Sequence, residues 1–160
     1  MTKKEFLAAA TAAARAASAI SGFIPGVTVA QAALESGWGN SLLARTAHNY
    51  FGIKARKGRP SVAMPTWEFS NGSRVRLTAR FAKYASMEEC FVDRDRMIAT
   101  LSHYAQARSC ARDPEAFVRA LAKRWATDPR YPEKLLKLYC DYHLDELDQD
   151  FRDQPSSSRS

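Results

Sequence analysis

Apolar residues recur at helical spacing along most of the chain. A first apolar stripe consists of Phe6, Ala10, Ala13, Ala17 and Ile20. This spacing predicts an amphipathic first helix. After a turn at Pro25-Gly26, the pattern from Val27 to Ser36 predicts a second helix that ends at Gly37, because glycine tolerates the left-handed conformation found after helix ends. Glu35 is therefore expected at a helix terminus.

In one region, apolar and polar residues alternate instead of following helical spacing. Between positions 74 and 81 apolar and polar residues follow each other with a period of two, which predicts a β-strand. A two-residue turn at Asn71-Gly72 would mix apolar and polar residues on both faces of a hairpin, so a three-residue turn at 71–73 is preferred. The resulting register pairs Phe69 with Val75 and Trp67 with Leu77, and places Glu68 across from Arg76.

The second half of the chain carries helix-start signals. Ser86 and Glu89 form a capping box that opens a helix to about Leu101, and Asp113-Pro114 opens another. A last helix follows Asp128-Pro129, and the Asp-rich and Ser-rich stretch 148–160 is predicted to be a disordered tail. Residues 1–147 are expected to form one domain of the α+β class, mainly helical with one small hairpin.

Composition narrows the partners. The 160 residues have a formal charge of +7, which favours association with polyanions such as cell wall, nucleic acid or anionic lipid. The arginines are scattered and no nucleic-acid-binding motif occurs, so we expect no nucleic-acid partner. No apolar stretch approaches the roughly 20 residues that span a bilayer, so membrane insertion is not expected.

Cysteines and histidines suggest neither a cofactor nor a metal. Three cysteines without a C-x-x-C pair are expected to be free thiols, although one disulfide is left open. The three histidines lack metal-ligand spacing. The basic start and Ala-rich run resemble a secretory signal, but Glu5 and Arg15 interrupt it, so no signal peptide is predicted.

The run Ala30 to Gly39 holds the candidate chemistry. It places Glu35 at the end of an apolar helix and beside Trp38. Burial there would raise the pKa of the carboxyl group, and a protonated carboxylic acid donates a proton to a leaving glycosidic oxygen. By pattern alone, a solvated helix end is an equally good interpretation.

Three motifs in order resemble the family 73 glycoside hydrolases, the N-acetylglucosaminidase domains of autolysins, flagellar rod-cap proteins and phage endolysins. They are Ala30 to Gly39, Asn49 to Lys54, and Trp125 to Tyr131 with Lys134-Leu135. The resemblance covers about 4–147. It implies a lysozyme-like fold whose hairpin lines a cleft, and cleavage of the β-1,4 bond after N-acetylglucosamine in bacterial peptidoglycan. We expect a monomer that acts on the cell wall, in the periplasm or outside the cell.

The resemblance also implies site residues. By this resemblance, Glu35 is the general acid and Glu68 on the hairpin is the second carboxylate. The alternative interpretation of Glu68 is a solvated strand residue that pairs with Arg76. Tyr131 is expected to line the cleft, and Asn49 to fix a loop or contact an acetamido group. Trp38 joins these two as a candidate substrate-binding residue. Trp125 and Phe51 are weaker aromatic candidates, as are the carboxylates of Asp93 and Asp95.

Several alternatives remain open at this stage. A muramidase or lytic transglycosylase shares a Glu-Ser helix end, and a non-catalytic wall-binding module would keep the charge and the aromatics. Whether Glu68 activates a water, or the 2-acetamido group of the substrate performs the displacement, depends on a carboxyl separation that sequence does not give. The setting (autolysin, flagellar enzyme or phage lysin) is also left open.

Overall fold

The computed structural model describes residues 1–154, with the exception of the Phe69 side chain. Within these residues, three helices precede one two-stranded antiparallel sheet and five helices follow it, with one 3₁₀ turn at Ser102–Tyr104. The elements are α1 Lys3–Ser21, α2 Pro25–Ser36, α3 Leu42–Ala47, β1 Ser61–Ser70, β2 Ser73–Ala82, α4 Met87–Thr100, α5 Ala105–Ser109, α6 Pro114–Trp125, α7 Tyr131–Asp141 and α8 Asp145–Asp153. The predicted α+β class, mainly helical with one hairpin, is confirmed.

Helix α2 forms the centre of the domain. Ten of its twelve residues are buried, so it is covered on all sides rather than along one stripe. Helices α1, α7 and α8 pack directly against it, and α4 packs on α1. Since the end of this central helix holds Glu35, the packing that fixes α2 also fixes the candidate acid.

The buried start of α2 is capped by a distant helix. Ile24 precedes the helix and offers no side-chain cap. Instead, Oδ1 of Asp148 in α8 accepts a hydrogen bond from the backbone N–H of Gly26 at 2.6 Å, and Oδ2 accepts one from the hydroxyl of Tyr139 at 2.5 Å. A carboxylate at a helix N-terminus satisfies donors that the helix itself leaves unpaired. A Cβ at position 26 would overlap the Leu144 carbonyl oxygen, so glycine is required there.

The start predicted for the disordered tail, residue 148, is therefore too early. Residues Asp145–Asp153 form a helix, and both Asp148 and Phe151 on it are buried. The charged composition concealed this, because Asp148 and Phe151 are the only buried residues of the nine in this helix. The domain extends past the predicted boundary at 147, and the prediction for 155–160 lies outside the described residues.

The register predicted for the hairpin is wrong. Glu68 pairs with Val75, Trp67 with Arg76, and Ser70 with Ser73, so the turn contains only Asn71 and Gly72. Both turn residues have positive φ, at 50° and 77°, as a type I′ turn requires.

Turn geometry decided this register because burial did not. Most of the hairpin stands in solvent, with Trp67 and Leu77 about half exposed, so no core forces like residues onto one face. The mixed pairing that results is stabilised in another way, since the guanidinium of Arg74 lies 4.5 Å from the centroid of the Trp67 ring. As a consequence, Glu68 shares a face with Val75 and Phe81, and not with the arginines.

We predict that Asp148→Ala destabilises the domain by about 2 kcal/mol, because it leaves the Gly26 N–H and the Tyr139 hydroxyl buried without a partner. Urea denaturation followed by circular dichroism measures this. Asp150→Ala on the same helix removes only an exposed carboxylate 3.7 Å from Arg15 and should cost less than about 0.5 kcal/mol. Equal effects of the two variants would contradict the capping role.

Candidate active site

The Glu-Ser-Gly-Trp-Gly segment is a tight reversal at the end of α2. Gly37 takes the left-handed conformation, and the N–H groups of Gly37 and Trp38 both reach the Ala33 carbonyl. The buried Ser36 hydroxyl donates to the Ala32 carbonyl at 2.6 Å and accepts from the Gly39 N–H at 2.8 Å. Each residue after the glutamate thus helps to stop the helix, which leaves Glu35 at the rim of the core.

Glu35 opens onto a cleft of about 450 Å³. Its walls come from the α2 terminus, the loop after α3, and the α6–α7 connection with the start of α7. The lining residues are Leu34, Glu35, Phe51, Gly52, Trp125, Ala126, Thr127, Asp128, Tyr131 and Lys134. These are drawn from all three of the motifs that carry the family resemblance, so separate sequence segments meet at one place.

The carboxyl group of Glu35 lies in a partly apolar setting with one strong partner. Its Oε1 accepts a hydrogen bond from the Tyr131 hydroxyl at 2.7 Å. Burial raises the pKa of Glu35, and the bond from Tyr131 offsets only part of that rise. The negative end of the α2 dipole also disfavours the ionised form. The group is therefore suited to hold a proton and donate it.

Tyr131 lines the cleft as predicted, but only 4% of it is exposed. Burial and the neighbouring Glu35 carboxyl raise the pKa of its hydroxyl, so the phenol stays protonated and acts as a donor. Its aromatic face offers little surface for stacking. The better aromatic surface is the half-buried Trp125, which meets Phe51 edge to face with centroids 6.2 Å apart.

Asn49 holds the loop after α3 and does not face the cleft. Its Nδ2 donates to the carbonyls of Ile53 and Ala82, both at 2.9 Å, and its Oδ1 accepts from the N–H groups of Phe51 and Ile53. Only 1% of the residue is exposed. Because every polar atom is engaged with backbone, its predicted substrate contact is corrected to the alternative role of fixing the loop that carries Phe51 and Gly52.

Trp38 lies next to the cleft but not in its wall. Its ring packs between Phe6, at 5.8 Å between centroids, and Tyr142, at 4.8 Å. The ammonium group of Lys3 lies 4.8 Å from the ring centroid. Trp38 lines a neighbouring hollow that shares Leu34 and Lys134 with the cleft. Its role in substrate binding stays a prediction.

Glu68 stands on the exposed hairpin, and none of the hairpin side chains that the structure describes lines the cleft at Glu35. Its Oε1 lies 4.0 Å from Nζ of Lys54, two residues beyond the cleft residue Gly52. Lys54 also bridges to Phe81 on β2 and places its ammonium over the Phe81 ring. The face of the hairpin that holds Glu68 is therefore the face turned toward the loop at the cleft edge, and its expected partner Arg76 lies on the opposite face.

Other sequence candidates fall elsewhere. Asp93 is buried and accepts hydrogen bonds from Arg56 and Tyr84, which tie the loop and hairpin base to α4. Asp95 pairs with Arg94 inside the core. The three cysteines are free, with burial raising the pKa of the Cys90 thiol to about 12. Among residues 1–154 no group of three or more His, Cys, Asp or Glu side chains is arranged to hold a metal ion.

Sequence reasoning missed the polar residues behind the cleft. Gln31 and Arg94 are fully buried and join Tyr131 to α4 through hydrogen bonds. A glutamine within an otherwise apolar helix and the Arg94-Asp95 pair within a predicted helix were the available signals. Asp128 was also missed; it lies on the cleft wall, where the hydrogen bond that it accepts from Lys134 at 2.6 Å lowers its pKa.

A helical domain with one hairpin, and a partly buried glutamate with a raised pKa at a helix end beside an aromatic-lined cleft, define a lysozyme-like glycosidase architecture. Comparison with known proteins agrees with this class. Residues 11–144 match the family model described as Glucosaminidase, mannosyl-glycoprotein endo-beta-N-acetylglucosaminidase. The chain belongs to this glucosaminidase family, and the resemblance to family 73 is confirmed.

Relatives and a solved structure support the assignment. The chain is 34% identical to the exo-glucosaminidase LytG of Bacillus subtilis over 79% of this chain and 46% of that protein. It is 34% identical to a probable N-acetylmuramidase of Lactococcus lactis over 89% of this chain and 34% of that protein. The catalytic domain of the autolysin Auto from Listeria monocytogenes superposes with a TM-score of 0.81 at 33% identity, covering 91% of this chain and 86% of that one.

The chain spans less than half the length of these two curated relatives. The names of these relatives differ in the bond they imply, since one is a glucosaminidase and the other a probable muramidase. Family membership therefore gives the fold and the class of chemistry, and leaves the bond that this chain cleaves to experiment. No helix within residues 1–154 combines the length and apolar character needed to cross a membrane.

We predict that Glu35→Gln stabilises the fold as pH rises. Burial raises the pKa of Glu35 above its unfolded value, so ionisation costs the native state stability, starting near about pH 4 and complete above the folded pKa. Glutamine cannot ionise and still accepts the hydrogen bond from Tyr131. Melting temperatures from pH 4 to 8 should therefore diverge in favour of the variant, whereas the exposed control Glu88→Gln should show no such trend. A constant difference across this range would refute the buried-acid assignment.

Proposed function

We propose that this domain is a peptidoglycan hydrolase that cleaves the β-1,4 bond after N-acetylglucosamine, with Glu35 as the general acid. The observation that carries the proposal is the Glu35 carboxyl group itself: partly buried at the end of α2, bonded on one oxygen by Tyr131, and opening onto a 450 Å³ cleft. A carboxylic acid with a raised pKa is what departure of a glycosidic oxygen requires.

The cleft walls fit a polar sugar ring. Trp125 presents a half-buried aromatic surface, which suits the apolar face of a pyranose. Lys134, Asp128 and Thr127 offer donors and acceptors for hydroxyl and acetamido groups. The formal charge of +7 favours approach to the anionic bacterial wall, where we place the site of action. Autolysins and peptidoglycan hydrolases among the relatives support the same substrate class.

We predict that Glu35→Gln lowers the release of reducing ends from purified peptidoglycan by about 10²- to 10⁴-fold, the usual contribution of a general acid. Mass spectrometry of the wild-type fragments should find N-acetylglucosamine at the new reducing ends. Co-sedimentation with the wall should be unchanged in the variant, and Glu88→Gln serves as the charge-matched control for activity.

Any other fragment pattern would assign a different activity to this domain. Reducing muramic acid ends would identify a muramidase, and anhydro-muramic ends a lytic transglycosylase. Binding without cleavage by both wild type and Glu35→Gln would identify a wall-binding module.

The second carboxylate of the proposal is Glu68. It lies on the hairpin face turned toward Lys54, two residues beyond the cleft residue Gly52, and is half exposed. A water molecule on the far side of the sugar from Glu35 would need such a base. Lys54 would orient the Glu68 carboxyl toward the loop.

We predict that Glu68→Gln lowers kcat by at least about 100-fold, whereas Lys54→Gln lowers it less than about tenfold, because the lysine only orients the carboxylate. Initial rates on soluble glycan fragments measure both. If Glu68→Gln retains most of the rate, the displacement belongs to the 2-acetamido group of the substrate. Proton NMR of the first product then shows a retained anomeric configuration instead of an inverted one.

A further inference from the structure

Behind the cleft, four side chains form a continuous line of hydrogen bonds that ends on Glu35. Nε of Arg94 donates to Oε1 of Gln31 at 2.9 Å. Nε2 of Gln31 donates to the Tyr131 hydroxyl at 3.2 Å, and that hydroxyl donates to Oε1 of Glu35 at 2.7 Å. Arg94 and Gln31 are both 0% exposed, so water does not compete for these bonds.

The direction of every bond in this line is forced. A guanidinium has no acceptor, so Gln31 must turn its carbonyl oxygen toward Arg94 and its NH₂ toward Tyr131. The tyrosine oxygen then accepts from Gln31, which leaves the single hydroxyl hydrogen for Glu35. Arg94 itself is fixed by Asp95, at 2.8 Å, and by the Thr28 hydroxyl, at 3.0 Å. The line therefore has one polarity, set in the core.

We propose that Gln31 is a positioning residue for the acid: anchored by Arg94, it holds the Tyr131 hydroxyl hydrogen on Oε1 of Glu35, so that the transferable proton of Glu35 resides on Oε2. The proposal rests on the function proposed above, in which Glu35 is the general acid. It concerns the placement of the proton, which neither the family match nor the shape of the cleft specifies.

Stability alone is a poor reason for this arrangement. Replacement of a buried ion pair such as Arg94 and Asp95 by apolar residues is often neutral or stabilising. The Nη2 atom of Arg94 is buried and has no hydrogen-bond partner among the described residues, which adds to the cost. Its guanidinium instead lies 5.8 Å from the centroid of the Phe51 ring, on the cleft loop. A buried arginine kept at such cost is explained if its donor orients the line.

The first test uses the wild-type protein and nuclear magnetic resonance. The Glu35 side-chain carboxyl is titrated by carbon-13 detection while the nitrogen-15 shift of Gln31 Nε2 is followed. We expect the Gln31 shift to change with the same midpoint as Glu35. Asn49 is the matched control, because it is also a buried amide but bonds only to backbone, and it should not follow. A Gln31 shift that ignores the Glu35 titration overturns the proposal.

The second test reverses the line with Gln31→Glu. The new carboxylate still accepts from Arg94 but cannot donate to Tyr131, so it draws the hydroxyl hydrogen away from Glu35. At a fixed pH, the ratio of protonated to ionised Glu35 should rise about three- to tenfold, the equivalent of one hydrogen bond. The alkaline limb of the kcat/KM profile should move to higher pH, with KM changed less than about twofold because Gln31 does not reach the cleft.

Added charge is separated from the hydrogen bond by a double-mutant cycle. In a Tyr131→Phe background only the charge of Gln31→Glu acts on Glu35, so the rise should be clearly smaller than in the Tyr131 background. Equal rises in both backgrounds overturn the proposal. Gln31→Met, run through the same cycle, supplies a neutral second variant. Ile98→Val, one turn along α4 from Arg94, controls for core damage and should leave the pH profile unchanged.

These results are distinguishable from failure of the proposed function. If the wild-type chain does not cleave peptidoglycan, the function fails, while the two titrations still report whether the line controls Glu35. If the chain cleaves and the titrations show no link between Gln31 and Glu35, only the positioning role fails.

Discussion

The burial of α2 on all sides is the constraint on which the rest of the domain depends. A helix with ten buried residues out of twelve cannot leave a polar atom unpaired without a cost of about 1–3 kcal/mol for each group. Its polar positions are therefore met by side chains from other parts of the chain: Asp148 at its start, Arg94 and Tyr131 along its length, and the Ser36 hydroxyl at its end. The Ser36 contact also fixes where the helix stops.

That stop is where the chemistry lies. Because α2 is immobilised at both ends, Glu35 is presented at the edge of the core, half withdrawn from water and with one oxygen already bonded. A flexible loop would solvate the same carboxyl group and return its pKa to the ordinary range. The hairpin that carries Glu68 is held differently, since it is solvated over most of its length and is anchored at its base through Asn49, Ile53 and Phe81. The candidate second carboxylate, Glu68, is therefore held more loosely than Glu35.

The hairpin illustrates how local and tertiary information compete. The preference for like residues on one face is a rule about buried sheets, and it led to a three-residue turn. The turn residues Asn71 and Gly72 favour a two-residue type I′ turn, which has the twist that flanking strands require. Where no core covers the strands, the turn prevails. The outcome moved Glu68 from the arginine-bearing face to the face of Phe81, and so toward the loop that carries Gly52.

The sequence by itself determined the class of fold, the helix that carries Glu35 and its stop at Gly37, and the start signals of α4, α6 and α7, because caps, turns and apolar spacing act over a few residues. Together with the motif order, it also determined the family. Only the tertiary structure decided that α8 caps α2, that the Asn49 side chain hydrogen-bonds to backbone groups, and that Arg94 and Gln31 lie behind Tyr131. These pairings join residues up to 122 positions apart. A buried polar residue reveals in the sequence that it needs a partner, but only packing decides which partner it finds.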